Sequence, residues 1–136
     1  MKRELELKLV DKYPKIFEGV KEKDPRKSLM AFGFECGDGW YDIIDRLCAD
    51  LMTLGVGAKA LQVKEKYGTL RFYCSFTGFL DKETVDLAWE RVTQAEIESG
   101  GICEYCGEKG KSRGTSWLRT LCNSCAALEY QGDNIA

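Results

Sequence analysis

Hydrophobic positions along the chain change their period several times, and each change marks an element. Leu5, Leu9 and Tyr13 recur at helical spacing over residues 2–13, and Pro14 stops that helix. The charged stretch GVKEKDPRKS that follows holds Gly19 and Pro25 and predicts a surface loop. FGFECGDGW places glycines at 33, 37 and 39, which predicts a tight, irregular approach to the next element. Over residues 41–54 a helix is expected, with Trp40, Ile43, Ile44, Leu47, Cys48 and Leu51 on its apolar side. Asp42, Asp45, Arg46 and Asp50 take the other side, Asp38 is the expected N-cap and Gly55 the expected stop.

The period then drops to two. Leu61 and Val63 alternate with Gln62, Lys64 and Lys66, and Leu70, Phe72, Cys74 and Phe76 alternate with Arg71, Tyr73 and Ser75. Tyr67-Gly68 supplies the turn, and a two-residue loop there pairs Lys66 with Thr69, Lys64 with Arg71, and Gln62 with Tyr73. The helical period returns over residues 82–98, capped by Asp81, with Val85, Ala88, Trp89, Val92 and Ala95 as its stripe. Trp89 and Val92 are expected to pack towards Phe72 and Cys74. These elements predict an α+β fold, with helices packed on a small antiparallel sheet that contains the hairpin. Residues 1–98 form that body, and residues 99–136 a cysteine-bearing module packed against it.

Composition narrows the chemistry. The 136 residues are 44% hydrophobic and 31% charged, with 20 basic against 22 acidic side chains and a net charge of −2. That balance argues against a generic nucleic-acid scavenger, which is usually strongly basic. No run approaches the ~20 apolar residues of a membrane span, and the first residues lack a signal-peptide core, so a cytoplasmic location is expected. There is no histidine. Ser-His-Asp triads, Cys-His dyads and His-bearing catalytic zinc sites are thereby excluded, and an enzyme is not expected.

Seven cysteines in such a chain read as metal ligands or thiols before disulfides. Cys103-x2-Cys106 and Cys122-x2-Cys125 lie 15 residues apart, the spacing of a four-cysteine zinc site. Four thiolates suit a tetrahedral, borderline-soft cation and leave no open position, so one structural Zn2+ is expected. Cys48 and Cys74 fall on apolar faces as packing residues. Cys36 lies in the glycine-rich loop, where it can be exposed, but has no base beside it to make it a nucleophile.

CEYCGEKGKSRGTSWLRTLCNSC resembles the treble-clef zinc modules of GATA-type fingers, in which a knuckle and short hairpin lead to LCNxC at a helix start. The matching residues are Trp117, Leu121, Cys122, Asn123 and Cys125. Those fingers have longer spacing between cysteine pairs and a basic tail for DNA. Here Lys109, Lys111, Arg113 and Arg119 are balanced by Glu104, Glu108, Glu129 and Asp133. A wider resemblance rests on CGDGWYDIIDRLC, QVKEKYGTLRFY, AEIESGGICEYCG and SWLRTLCNSC. These blocks are similar to a family of small phage- and prophage-encoded proteins, which implies action in a bacterial host's cytoplasm.

The polar face of the hairpin sets Lys64 opposite Arg71, two like charges that need an acidic neighbour. Either the molecule and its solvent suffice, through a carboxylate of the fold such as Glu35, Asp38 or Glu65 or simply a solvated face, or an external anion lies over the pair. In the second case Lys64, Lys66 and Arg71 are the anion-binding residues, and Trp40, Tyr67 and Tyr73 are available to stack on a base. The leading expectation is a non-enzymatic, zinc-stabilised binding protein. It would engage a host protein or sequester an anionic nucleotide, as a host-defence inhibitor does. The alternative is a zinc-finger regulator that binds nucleic acid.

Overall fold

The computed structural model describes residues 1–77 and 80–135, the last six by their helical backbone. Four helices, α1 (Arg3–Lys12), α2 (Tyr41–Leu54), α3 (Lys82–Ser99) and α4 (Asn123–Ile135), accompany two small sheets. The first sheet holds β1 (Phe34–Glu35), β2 (Ala58–Lys66) and β3 (Thr69–Phe76), in that order, and the second pairs β4 (Lys111–Arg113) with β5 (Arg119–Leu121). The fold is α+β, as the alternating periods predict.

The hairpin has the predicted register: Lys66 faces Thr69, Lys64 faces Arg71 and Gln62 faces Tyr73. Its two-residue turn has positive φ at both Tyr67 (55°) and Gly68 (81°), the backbone that matches the twist of paired strands. Two features of the sheet depart from expectation. β1 joins β2 in parallel, with Phe34 beside Val63 and Glu35 beside Lys64, so the sheet is mixed rather than purely antiparallel. A bulge between Ala60 and Gln62 leaves Leu61 unpaired, and the extra residue turns Leu61 outward to 40% exposure. Ala60 takes the inward place that simple alternation assigns to Leu61.

α2 buries Ile43, Ile44, Leu47, Cys48 and Leu51 as its spacing requires, and Gly55 ends it in the left-handed conformation. Its N-cap is not Asp38. A short 3-10 turn, Asp38–Trp40, precedes the helix, and Asp38 accepts the Lys2 backbone N–H instead. α3 starts where predicted, with Asp81 accepting the Thr84 N–H. The core joins these faces to Leu9 of α1, to Tyr13 at its C-cap, and to Ile16 and Phe17 just beyond it. Phe17 packs edge-on between Phe34 and Phe72 at 5.0 and 6.3 Å. The stretch expected as a surface loop, residues 19–28, opens in a 3-10 turn (Glu18–Lys21) and runs into another (Leu29–Phe32), burying Ser28 at its end and Met30 just beyond.

α3 runs beside the outer strand of the sheet. Ser99 is fully buried, where its hydroxyl accepts the Leu70 N–H at 2.7 Å and donates to the Glu96 carbonyl at 2.6 Å. Ala88 and Ala95 let the helix sit close, and Arg46–Glu98 and Arg91–Asp50 pairs tie it to α2. Trp89 and Val92 lie beside Phe72 and Cys74 as predicted, with Val92 packed against the core, but Trp89 is less buried than a core residue. It lies 4.4 Å from the Phe76 ring and stays 44% exposed, because the stripe residues Ala88 and Ala95, not Trp89, face the core.

Candidate metal centre and neighbouring surfaces

The last third is built from a tight turn, a hairpin and a helix start, the order of parts in a treble clef. Cys103 and Cys106 sit on the turn, and Cys122 and Cys125 flank the start of α4. In the turn, the Gly107 N–H donates to the Cys103 carbonyl at 3.0 Å, and Gly107 takes φ +83°. β4 and β5 bring the second pair back, with Lys111 opposite Leu121 and Arg113 opposite Arg119. The four sulfurs all lie within 4.8 Å of one another, and Cys106 Sγ is 3.6 Å from Cys122 Sγ. A tetrahedral ion with bonds near 2.3 Å sets its sulfurs about 3.8 Å apart, so the four thiols fit one metal ion.

Charge makes the same point. Burial pushes the Cys103 thiol up, but backbone N–H groups of Cys122, Cys106 and Tyr105 outweigh it and bring it down to about 7. Burial and the three neighbouring thiols push Cys125 up to about 12. Four thiolates cannot share this space without a cation to neutralise them.

The module docks on the body through backbone. Gly39 N–H donates to the Glu104 carbonyl at 2.7 Å, and Gly37 N–H donates to Glu104 Oε2 at 2.9 Å. A Cβ on Gly39 would stand 2.0 Å from the Cys103 carbonyl oxygen, and one on Gly37 2.3 Å from that of Glu104. These glycines are therefore steric: Gly37 has an ordinary φ of −82°, and neither residue needs left-handed backbone. Glu104 is itself buried, which pushes its carboxyl up against the opposing pull of Arg119 and the Gly37 N–H. On the far side, the Thr120 hydroxyl donates to the Gly68 carbonyl at the hairpin turn.

Trp40 belongs to this seam. Its ring is fully buried and its indole N–H donates to the Ile102 carbonyl at 2.9 Å, so it is not available to stack on a ligand. Cys36 is likewise buried rather than exposed, and burial pushes its thiol up to about 12, as it does for Cys74. Of the remaining hairpin residues, Arg71 pairs with Glu96 of α3 at 3.1 Å. The carboxylate beside it thus comes from none of Glu35, Asp38 or Glu65, although Glu35 lies next to Lys64 in register. Lys64 has no ion pair among the described residues. Tyr73 is on the same outer face, 42% exposed, whereas Lys66 and Tyr67 form the exposed hairpin tip.

That outer face carries two adjoining grooves that sequence reasoning did not find. One, of about 360 Å3, runs between β3 and α3 past Arg71, Tyr73, Trp89 and Glu96. The other, of about 400 Å3, lies against residues 25–29, and Leu61 and Tyr73 border both. Arg71 Nε is buried in this wall with no hydrogen-bond partner among the described residues. No helix among the described residues is long and apolar enough to cross a membrane. Compared with protein-family models, curated proteins and solved structures, the chain matches none.

Proposed function

We propose that the protein is a non-enzymatic binding protein whose C-terminal module is held by one structural zinc ion and whose partner is a protein seated on the outer face of the sheet. Zinc is favoured by the donor set, four thiols at tetrahedral spacing, which fill the shell and leave no position for substrate. The observation that carries the partner is the outer face itself. Leu61, Tyr73 and Trp89 are each at least 40% exposed around two adjoining grooves, and the Arg71–Glu96 pair lines one of them. Tyr, Trp and Arg are the residue types that dominate interface energetics when a partner desolvates them. The resemblance to phage products makes a host protein of the bacterial cytoplasm the natural occupant, and inhibition of host defence the natural outcome.

Reading DNA through the zinc module has less support. Arg113 is engaged by the Leu121 carbonyl and Asn123, and Arg119 by Glu104, Tyr105 and Glu129, so two of the four basic side chains are used within the fold. The test is affinity capture from bacterial lysate with the wild type and with Tyr73→Glu and Trp89→Glu side by side. A host protein retained by the wild type and lost from both variants supports the reading. Identical captured proteins for all three would contradict it.

A further inference from the structure

At the other end of the hairpin, two aromatic rings stand in solvent beside one small cleft. Tyr67 is 69% exposed and Trp117 is 74% exposed. The cleft, about 250 Å3, is lined by Glu65, Lys66, Tyr67, Ser116, Trp117 and Leu118. Each ring rides on the turn of a different hairpin, the β2–β3 turn for Tyr67 and the β4–β5 connection for Trp117. The turns do not float independently. Thr120 Oγ1 donates to the Gly68 carbonyl at 2.5 Å, and a Cβ on Gly68 would stand 3.1 Å from that same oxygen.

Tyr67 has a backbone that its residue type disfavours. Its φ of 55° makes it the one non-glycine residue with positive φ among the described residues. Turns of this kind favour Asn or Gly at the first position, and a bulky side chain there is held at a conformational cost. The ring recovers little by burial, since more than two-thirds of the residue remains exposed. Lys66 Nζ lies 5.5 Å from the centre of the Tyr67 ring, which adds a cation to the aromatic surface. Glu65 does not cancel that cation freely, because its Oε2 accepts the Gly68 N–H at 2.8 Å.

We propose that Tyr67 and Trp117 form a stacking clamp for an unpaired nucleobase, with Lys66 placed for the attached phosphate. Two flat faces with a neighbouring ammonium match the chemistry by which bases are bound without being read, through stacking and a backbone contact. The base is supplied either by a free nucleotide or by single-stranded nucleic acid. This clamp is separate from the outer face assigned to a protein partner and does not depend on it. The chain's net charge of −2 means that binding draws on the clamp rather than on a basic surface.

The test uses the full chain with its metal and follows tryptophan fluorescence while a mononucleotide, UMP, and an oligonucleotide, (dT)10, are added in separate titrations at low salt. Saturable quenching by either probe is expected, with Trp40 and Trp89 insensitive. Equal affinity per base for both probes identifies the free nucleotide as sufficient, and preference for the oligonucleotide identifies the single strand. Measured for every variant by titration calorimetry, which does not depend on Trp117 as reporter, Trp117→Ala and Tyr67→Ala should weaken binding by roughly tenfold or more, Trp117→Phe should retain most of it, and Lys66→Gln should reduce its salt dependence. Tyr67→Asn separates ligand binding from folding. It should raise the melting temperature, by relieving the turn, while binding falls as in Tyr67→Ala. Absence of quenching by both probes, or a Tyr67→Asn protein that binds like the wild type, overturns the proposal. A Tyr67→Asn protein that melts lower than the wild type also overturns it, because the ring would then serve the fold.

Discussion

In the body, one continuous cluster of buried apolar side chains runs from Leu9 through Trp40 and α2 to Ala95. In the module, Cys103 and Leu121 are the only buried apolar side chains described from residue 99 to 129; the other buried residues there are Ser99, Glu104 and Thr120. The body can therefore be held by removal of apolar surface from water, at about 25 cal/mol per Å2. The module cannot. It has four thiols positioned to hold a metal ion at its centre and backbone hydrogen bonds along its border, so on the proposed reading its stability is set by ligand chemistry and close steric fit. The two parts should respond to different insults, and each substitution below tests which force holds which part.

The largest effect is expected at Cys122→Ser. Metal binding supplies on the order of 10 kcal/mol of folding energy in small zinc modules, and a three-sulfur site forfeits most of it. The proposed zinc gives one ion per chain in the wild type, and elemental analysis of the variant should fall well below one, with loss of ordered signals for residues 103–125. Next comes Gly39→Ala, which sets a Cβ 2.0 Å from the Cys103 oxygen and 2.6 Å from the Gly107 nitrogen, both backbone atoms that cannot move aside. A loss of about 3 kcal/mol is expected in denaturant unfolding. Gly55→Ala is the control: nothing lies within 4 Å and only its φ of +67° is strained, so it should lose about 1 kcal/mol.

Ser99→Ala tests the join between α3 and the hairpin. It strands the Leu70 N–H in a buried site, for about 1–3 kcal/mol. Trp89→Ala should be milder, about 1–2 kcal/mol, because the ring is 44% exposed; a buried tryptophan would lose about 3–5 kcal/mol. A value at the upper figure would mean that the outer face is part of the core. The smallest effect is pH dependence at the α1–α2 contact, where Tyr13 donates to Asp45 at 2.6 Å and Lys12 lies 2.9 Å from the same carboxylate. Burial and the bond to Asp45 raise the Tyr13 hydroxyl, so its contribution is complete below about pH 10 and is lost as pH rises through the folded value. Burial opposes ionisation of Asp45, but Tyr13 and Lys12 hold it below its ordinary value. Its contribution is therefore complete above about pH 4 and lost as pH falls through the folded value. Tyr13→Phe should flatten the alkaline decline and weaken the acid one in melting curves taken across pH.

The same contrast explains what could be read from the residues in advance. The hairpin register was legible because a two-residue turn leaves one pairing, and the metal ligands because CxxC spacing encodes their geometry directly. The bulge at Leu61 was not legible, since one extra residue leaves the hydrophobic pattern almost unchanged on either side. β1 is two residues long and lies among glycines, too short to show any period. The carboxylate opposite Arg71 is Glu96, on a helix whose rotation about its own axis sequence alone does not fix. Asp38 looked like the cap of the helix over 41–54, but it opens a 3-10 turn that places Trp40 at the N-cap position. The glycines at 37 and 39 were visible as a cluster, yet their purpose lies in backbone that approaches from residues 103–107.

Hydrogen exchange, followed by mass spectrometry on the full chain before and after metal removal with a chelator under reducing conditions, tests this division most directly. Peptides covering α2 and β2–β3 should keep most of their protection, while those covering residues 101–129 should exchange within the first time points. Restoring zinc should restore the protection. Unchanged protection of the module after complete metal loss, or collapse of α2 together with it, would contradict the account.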